Sequence, residues 1–145
     1  MTPVDRTRHT VGLTQDAGFQ IGVSRTLRQP PATVWQFLTS PEGLALWLGD
    51  LPTLGSTPGT PYTTTHGTTG ELRSYHPGTR IRLTWRPTDW THDTTLQLTV
   101  TPTPTGTLLR FHQERLTTPT ERETQRHHWQ SVITAVTNTL TPAPN

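Results

Sequence analysis

Seven histidines raise the question of a metal site in this 145-residue chain, and Tyr75, Arg82, Gln125 and His128 that of acid–base chemistry. His127 and His128 are adjacent. On a helix, adjacent side chains diverge by about 100°, so this pair cannot readily share one metal. No His-Glu-x-x-His pattern is present. Cysteine is absent, which excludes disulfides, thiolate metal sites and a thiol nucleophile. Neither a Gly-x-Ser-x-Gly elbow nor a glycine loop for phosphate occurs. No metal and no cofactor are therefore expected. Tyr75, Arg82, Gln125 and His128 remain as options for acid–base work, and none has a partner visible in the sequence.

The aromatic residues suggest a different kind of chemistry. Trp35, Trp85 and Trp129 fall on faces expected to be apolar, while Trp47 and Trp90 lie near loops that could form the mouth of a cavity. Two readings stay open. These rings form the core, because large aromatics dominate small cores, or they wall a cavity and stack on a flat ligand. Trp90, in the loop 87–92, is the better placed as a gate. Gln113 shares the strand parity of Leu109 and Phe111, so it points inward and must be hydrogen-bonded to the closing helix or to a ligand. The candidate ligand-binding set is Trp35, Trp47, Trp85, Trp90, Phe111, Gln113, His128 and Trp129. No catalytic residue is assigned.

Positioning these groups requires a particular series of elements. Residues 19–27 alternate apolar and polar and read as a strand. Two short helices follow, each opened by proline at a first turn, where the missing N–H costs nothing. Pro31 starts the first, with Val34, Trp35, Phe37 and Leu38 on it. Pro41 starts the second, capped by Ser40, with Leu44, Trp47 and Leu48. Residues 50–60 are a loop rich in Pro, Gly and Thr. A β meander then runs through 60–66, 71–75, 80–85, 94–100 and 107–116, with a hairpin connection at 102–106. Ile81, Leu83 and Trp85 form one face, as do Leu96, Leu98 and Val100. The last element is a helix over 118–140, with Thr118 as N-cap, Pro119 at its first position and Glu121 as capping-box partner. Trp129, Val132, Ile133, Val136 and Leu140 recur on one side of it.

Composition limits the partners. Ten acidic and twelve basic residues leave a net charge of +2, and every basic residue is Arg. The arginines are scattered and not clustered in a stripe, so nucleic acid is not an expected partner. No apolar stretch reaches membrane-spanning length, and the N-terminus lacks the apolar core of a signal peptide. No membrane partner is expected, and the expected location is cytoplasmic. The oligomeric state stays open between monomer and homodimer.

The order strand, two helices, five strands, helix resembles that of the START-like (SRPBCC) superfamily. Within it, the chain is similar to the Hsp90 ATPase activator homologue-like branch. The residues that carry the likeness are Val23, Ser24 and Arg25 with Pro31, Val34 and Trp35; the run Pro41-Glu-Gly-Leu-Ala-Leu-Trp47; Gly70, Glu71 and Leu72; residues 80–85; Gly106 and Thr107 with Leu109 and Phe111; and 121–140 with Trp129. Gly59-Thr-Pro61 stands where the family usually has a Gly-Gly pair. The resemblance implies an α+β helix-grip fold (START/Bet v 1-like), with a curved antiparallel sheet around the C-terminal helix. It implies one such domain over 19–140, preceded by an arm over 1–18 that is loose or adds an edge strand, and followed by a Pro-rich tail over 141–145. It also implies a cavity between sheet and helix for a small hydrophobic molecule, aromatic, polyketide-like or lipid. The alternatives are a polyketide cyclase-like enzyme and a co-chaperone-like interaction module.

Overall fold

The computed structural model describes residues 13–14 and 18–141. Expectations for the rest of the arm and for 142–145 lie outside the described residues. Seven strands form one sheet: β1 (Leu13–Thr14), β2 (Gly18–Leu27), β3 (Pro61–Thr63), β4 (Thr69–His76), β5 (Arg80–Trp85), β6 (Thr94–Thr103) and β7 (Gly106–Leu116). The helices are α1 (Pro31–Leu38), α2 (Pro41–Trp47) and α3 (Pro119–Leu140). The sheet order is β1-β2-β7-β6-β5-β4-β3, and every pairing is antiparallel. This is the helix-grip arrangement, with one added edge strand where Leu13–Thr14 pairs with the start of β2.

Local chemistry explains the short helices. Pro31 opens α1 after an extended Pro30. Ser40 Oγ accepts from the Gly43 N–H at 3.1 Å and caps α2 as the sequence predicts. Trp47 Nε1–H donates to the Leu38 carbonyl at 2.8 Å, tying α2 back to the end of α1. Gly43 makes this approach possible, since a Cβ there would stand 1.9 Å from the Phe37 oxygen.

The meander differs from the expected one mainly at its turns. β4 starts at Thr69, within the expected turn 67–70. The β6–β7 hairpin narrows to the two residues 104 and 105, because Pro102 and Thr103 still pair with Thr107 and Gly106. α3 begins as predicted: the Thr118 hydroxyl accepts from the Glu121 N–H at 3.0 Å. The Glu121 carboxylate reaches one residue further back than a capping box, accepting from the Thr117 N–H at 3.0 Å.

Alternation places the core. Ile81, Leu83 and Trp85, then Leu96, Leu98 and Val100, then Leu109 and Phe111 are all buried on one sheet face. Trp129, Val132, Ile133 and Val136 of α3 meet them. The period breaks once. In β7 the buried positions 107, 109, 111 and 113 are followed by 116, not 115. Arg115 has φ +68°, and residues 114 and 115 together oppose Gln20 across from β2. This bulge turns Arg115 outward and brings Leu116 in. A side chain in left-handed backbone costs about 1–2 kcal/mol relative to glycine.

Candidate functional site

Most of the residues proposed from sequence meet at one end of the sheet–helix interface, mainly as packed rings. Trp129 is 0% exposed and stacks on Phe111 at 5.1 Å, with 18° between the planes. Trp85 lies 5.7 Å from Trp129 and 5.9 Å from His128. Trp90 meets Trp85 edge-on at 5.6 Å, and His92 stacks on Trp90 at 5.0 Å. Trp47 lies 6.2 Å from Phe111, with 46° between the planes. Such pairs each contribute about 0.5–1.5 kcal/mol beyond their burial.

A line of hydrogen bonds runs through this cluster. The Trp129 Nε1–H donates to Gln113 Oε1 at 2.7 Å. Because an indole nitrogen can only donate, this bond fixes the orientation of the Gln113 amide. Gln113 Nε2 then donates to Thr94 Oγ1 at 3.0 Å, and that hydroxyl donates to the Trp85 carbonyl at 2.7 Å. Gln113 is 0% exposed and is satisfied by α3 and β6. Of the two partners left open by its parity, the structure supplies the closing helix.

Two atoms beside this line have no partner. Trp85 Nε1 and Gln125 Oε1 are both buried without a hydrogen bond, on side chains that are 6% and 7% exposed. One is a donor and the other an acceptor. Gln125 stands one helical turn before Trp129 on the buried side of α3. A buried polar atom left unpaired costs about 1–3 kcal/mol, so each of these two calls for a partner. His128 adds a third polar group. Burial pushes its pKa below the ordinary histidine value, so it is neutral at physiological pH.

The loop 86–93 covers this end and is tied down on several sides. Arg86 Nε–H donates to the Trp90 carbonyl at 3.0 Å. Thr88 Oγ–H donates to the His66 carbonyl at 2.5 Å. His92 Nε2 lies 2.9 Å from Glu121 Oε1, the same carboxylate oxygen that caps α3. Trp90, expected to be an exposed gate, is half-buried against the core by these ties.

Two of the expected site residues are engaged differently. Trp47, placed at a cavity mouth by its loop neighbourhood, is 2% exposed and belongs to the core, because its N–H is used to hold α2 on α1. Trp35 packs edge-on against Tyr75 at 5.7 Å. Tyr75 pairs with Ile81, at the opposite end of β5 from Trp85. Between sheet and α3, where a cavity is expected, Trp129, Phe111, Gln113 and Trp85 pack against one another. Two depressions lie on other surfaces, one over the outer sheet face and one along the solvent side of α3. The histidines that meet carboxylates do so singly: His92 with Glu121, His112 with Glu114, His127 with Glu123. The signal for Gln113 was in its strand parity. The roles of Thr94 and His92 depend on contacts between distant elements and carry no local signal, whereas Gln125, named from sequence, lies one helical turn before Trp129.

Among solved structures, protein MLL2253 from Mesorhizobium loti is similar at 23% identity and a TM-score of 0.70, over 86% of this chain and 99% of that one. CalU16 from Micromonospora echinospora is similar at 18% identity and a TM-score of 0.71, over 86% and 77%. DynU16, a protein of the dynemicin biosynthetic locus, is similar at 19% identity and a TM-score of 0.72, over 83% and 46%. At these identities the likeness shows the fold. No curated protein matches the chain. The family model described as activator of Hsp90 ATPase homolog 1-like protein matches residues 28–141, so the chain belongs to that family, within the START-like superfamily.

Proposed function

We propose that this protein binds a small, planar, largely apolar molecule at the end of the sheet–helix interface, beneath the loop 86–93. The observation that carries the reading is the pairing of an aromatic cluster with unpartnered buried polar atoms. Trp85, Trp90, Trp129 and His128 offer ring faces, while Trp85 Nε1 and Gln125 Oε1 offer a donor and an acceptor without partners. Few and well-placed polar groups in an apolar wall are what a small-molecule site needs for orientation. A ligand bearing a hydroxyl group could serve both atoms, accepting from the indole and donating to the amide. The family's fold is consistent with ligand binding. The fold-level neighbour DynU16, from a biosynthetic locus, agrees with a natural-product ligand but does not name one.

Because the rings are closely packed, binding requires the loop 86–93 to move, with Trp90 leaving Trp85. The test uses the intrinsic tryptophan signal. A panel of flavonoid-like, polyketide-like and fatty-acyl compounds is titrated while fluorescence and Tm are recorded. Saturable quenching with a rise in Tm is expected for a planar hydroxylated member, since a ligand that binds only the folded state stabilises it by mass action. Trp90→Ala should remove much of the quenching and leave the fold standing. No saturable quenching and no shift in Tm across the panel would reject the reading and favour an interaction module. Conversion of a bound compound would favour the cyclase-like alternative, with His128 the first residue to replace.

A further inference from the structure

The outer face of the sheet carries a second, separate concavity, and its walls are built from irregular backbone. It has a volume of about 550 Å³ and is lined by Arg73, Arg82, Thr84, Asp93, Thr95 and Arg115, with Thr94 at its edge. The three arginines come from three strands. Arg82 sits in the regular ladder of β5. Arg73 and Arg115 do not. In β4, Leu72 pairs with Leu83 and Ser74 with Arg82, so Arg73 is the extra residue of a bulge. In β7, residues 114 and 115 together oppose Gln20, and Arg115 has φ +68°. Two bulges, on strands separated by β5 and β6, thus each aim an arginine over the same stretch of sheet. Arg115 holds a backbone conformation that glycine would adopt without strain, and its side chain lines the concavity. An outlier of this kind points toward function.

Charge narrows the ligand. Arg73 is paired with Glu71 at 3.0 Å, and Arg82 with Glu114 at 3.1 Å. Arg82 also donates to Gln97 Oε1 at 3.2 Å, so its guanidinium is held in place. Asp93 faces Arg86 at 3.9 Å. Arg115 has no carboxylate partner among the described residues. These pairings leave one positive charge beside the side chains of Thr84 and Thr95. β4 and β7 are three strand spacings apart, about 14 Å, which suits an organic molecule better than a bare ion. We propose that this outer concavity binds a carboxylate-bearing organic molecule, with Arg115 as the carboxylate anchor and Arg73 and Thr95 as flanking contacts. The site lies on the opposite face of the sheet from the aromatic cluster, and Asp93 and Thr94 are the residues common to the borders of both.

The test follows benzoate titration of the full chain by nitrogen–proton NMR, with benzyl alcohol and inorganic phosphate as comparison probes. Saturable shifts are expected at the backbone amides of Thr95, Glu114 and Arg115 and at the side-chain Nε–H of Arg73 and Arg115. Benzyl alcohol should cause none of them. Arg115→Gly keeps the bulge, suits its backbone and removes the guanidinium, so it should fold and bind benzoate about tenfold more weakly, the loss typical of one charge-assisted hydrogen bond. Raising salt should weaken binding as well. The proposal is overturned if benzoate moves none of these signals. It is equally overturned if Arg115→Gly binds as well as the parent, if Arg25, Arg28 and Arg110 outside the concavity shift to the same extent, or if phosphate binds as tightly as benzoate.

Discussion

Replacing Gln113 with leucine should cost more than the loss of one polar side chain suggests, and the cost should be recoverable. In the folded protein the Gln113 amide accepts from Trp129 Nε1 at 2.7 Å and donates to Thr94 Oγ1 at 3.0 Å, with both Gln113 and Trp129 fully buried. Gln113→Leu leaves the indole N–H without an acceptor, which costs about 1–3 kcal/mol in a buried site. The lost bond to Thr94 adds about 1 kcal/mol. The leucine returns part of this through apolar burial, about 1 kcal/mol. A net destabilisation of about 1–3 kcal/mol follows from these terms. Trp129→Phe leaves Gln113 Oε1 unpaired and also opens a void beside Phe111. The double variant Gln113→Leu/Trp129→Phe keeps the void but has neither orphan atom. It should therefore be more stable than the sum of the single variants predicts, by about 1–2 kcal/mol. Urea denaturation of the four proteins closes the cycle. If the two changes add to within about 0.5 kcal/mol, the hydrogen bond carries no coupling and the reasoning fails.

Trp129→Ala should be severely destabilising, by about 3–5 kcal/mol, since it removes the largest buried side chain from the centre of the grip; a Tm within a degree or two of the parent would contradict the placement. Arg115→Gly should raise stability by about 1 kcal/mol, because the left-handed conformation is then unstrained; a clear loss in urea midpoint would show that the arginine is structurally required. His128 and His112 both have pKa values lowered by burial, His112 despite an opposing effect from Glu114. Each binds a proton more weakly when folded than when unfolded, so protonation favours the unfolded state. Stability should be full above the unfolded value of about 6.5, fall as pH drops through it, and level off below the folded values. His128→Gln should flatten that acid limb in melts across pH 4–8, and an unchanged limb would rule His128 out as its source.

Much of the fold was legible because its signals are local. Proline at Pro31, Pro41 and Pro119, the caps Ser40 and Thr118, and the alternation from Ile81 to Phe111 each act within a few residues of themselves. The site was less legible. Parity turned Gln113 inward, but parity cannot say that Trp129 fills the space in front of it. The aromatic composition fits a lined cavity and a packed core equally well, and only the ring distances distinguish them. Trp47 was misjudged because its loop-side position hid the bond to Leu38. The arginine groove was missed for a related reason: a bulge reverses the face of a residue, and alternation read from sequence assumes there is none.

The position of β2 in the sheet has a consequence for how the chain is made. β2 lies between β1 and β7, so its long partner is the last strand to be synthesised. Arg122 reaches the Gln20 carbonyl across 102 residues, and Gln29 donates to the Leu140 carbonyl across 111. While the ribosome is still adding the middle strands, the first long strand has no sheet neighbour of its own length. Pairing of β2 must wait for β7 and then close the long loop between them, which slows folding and leaves an unpaired strand edge exposed in the meantime. A nascent chain stalled before β7 would therefore be the form of this protein most prone to aggregate.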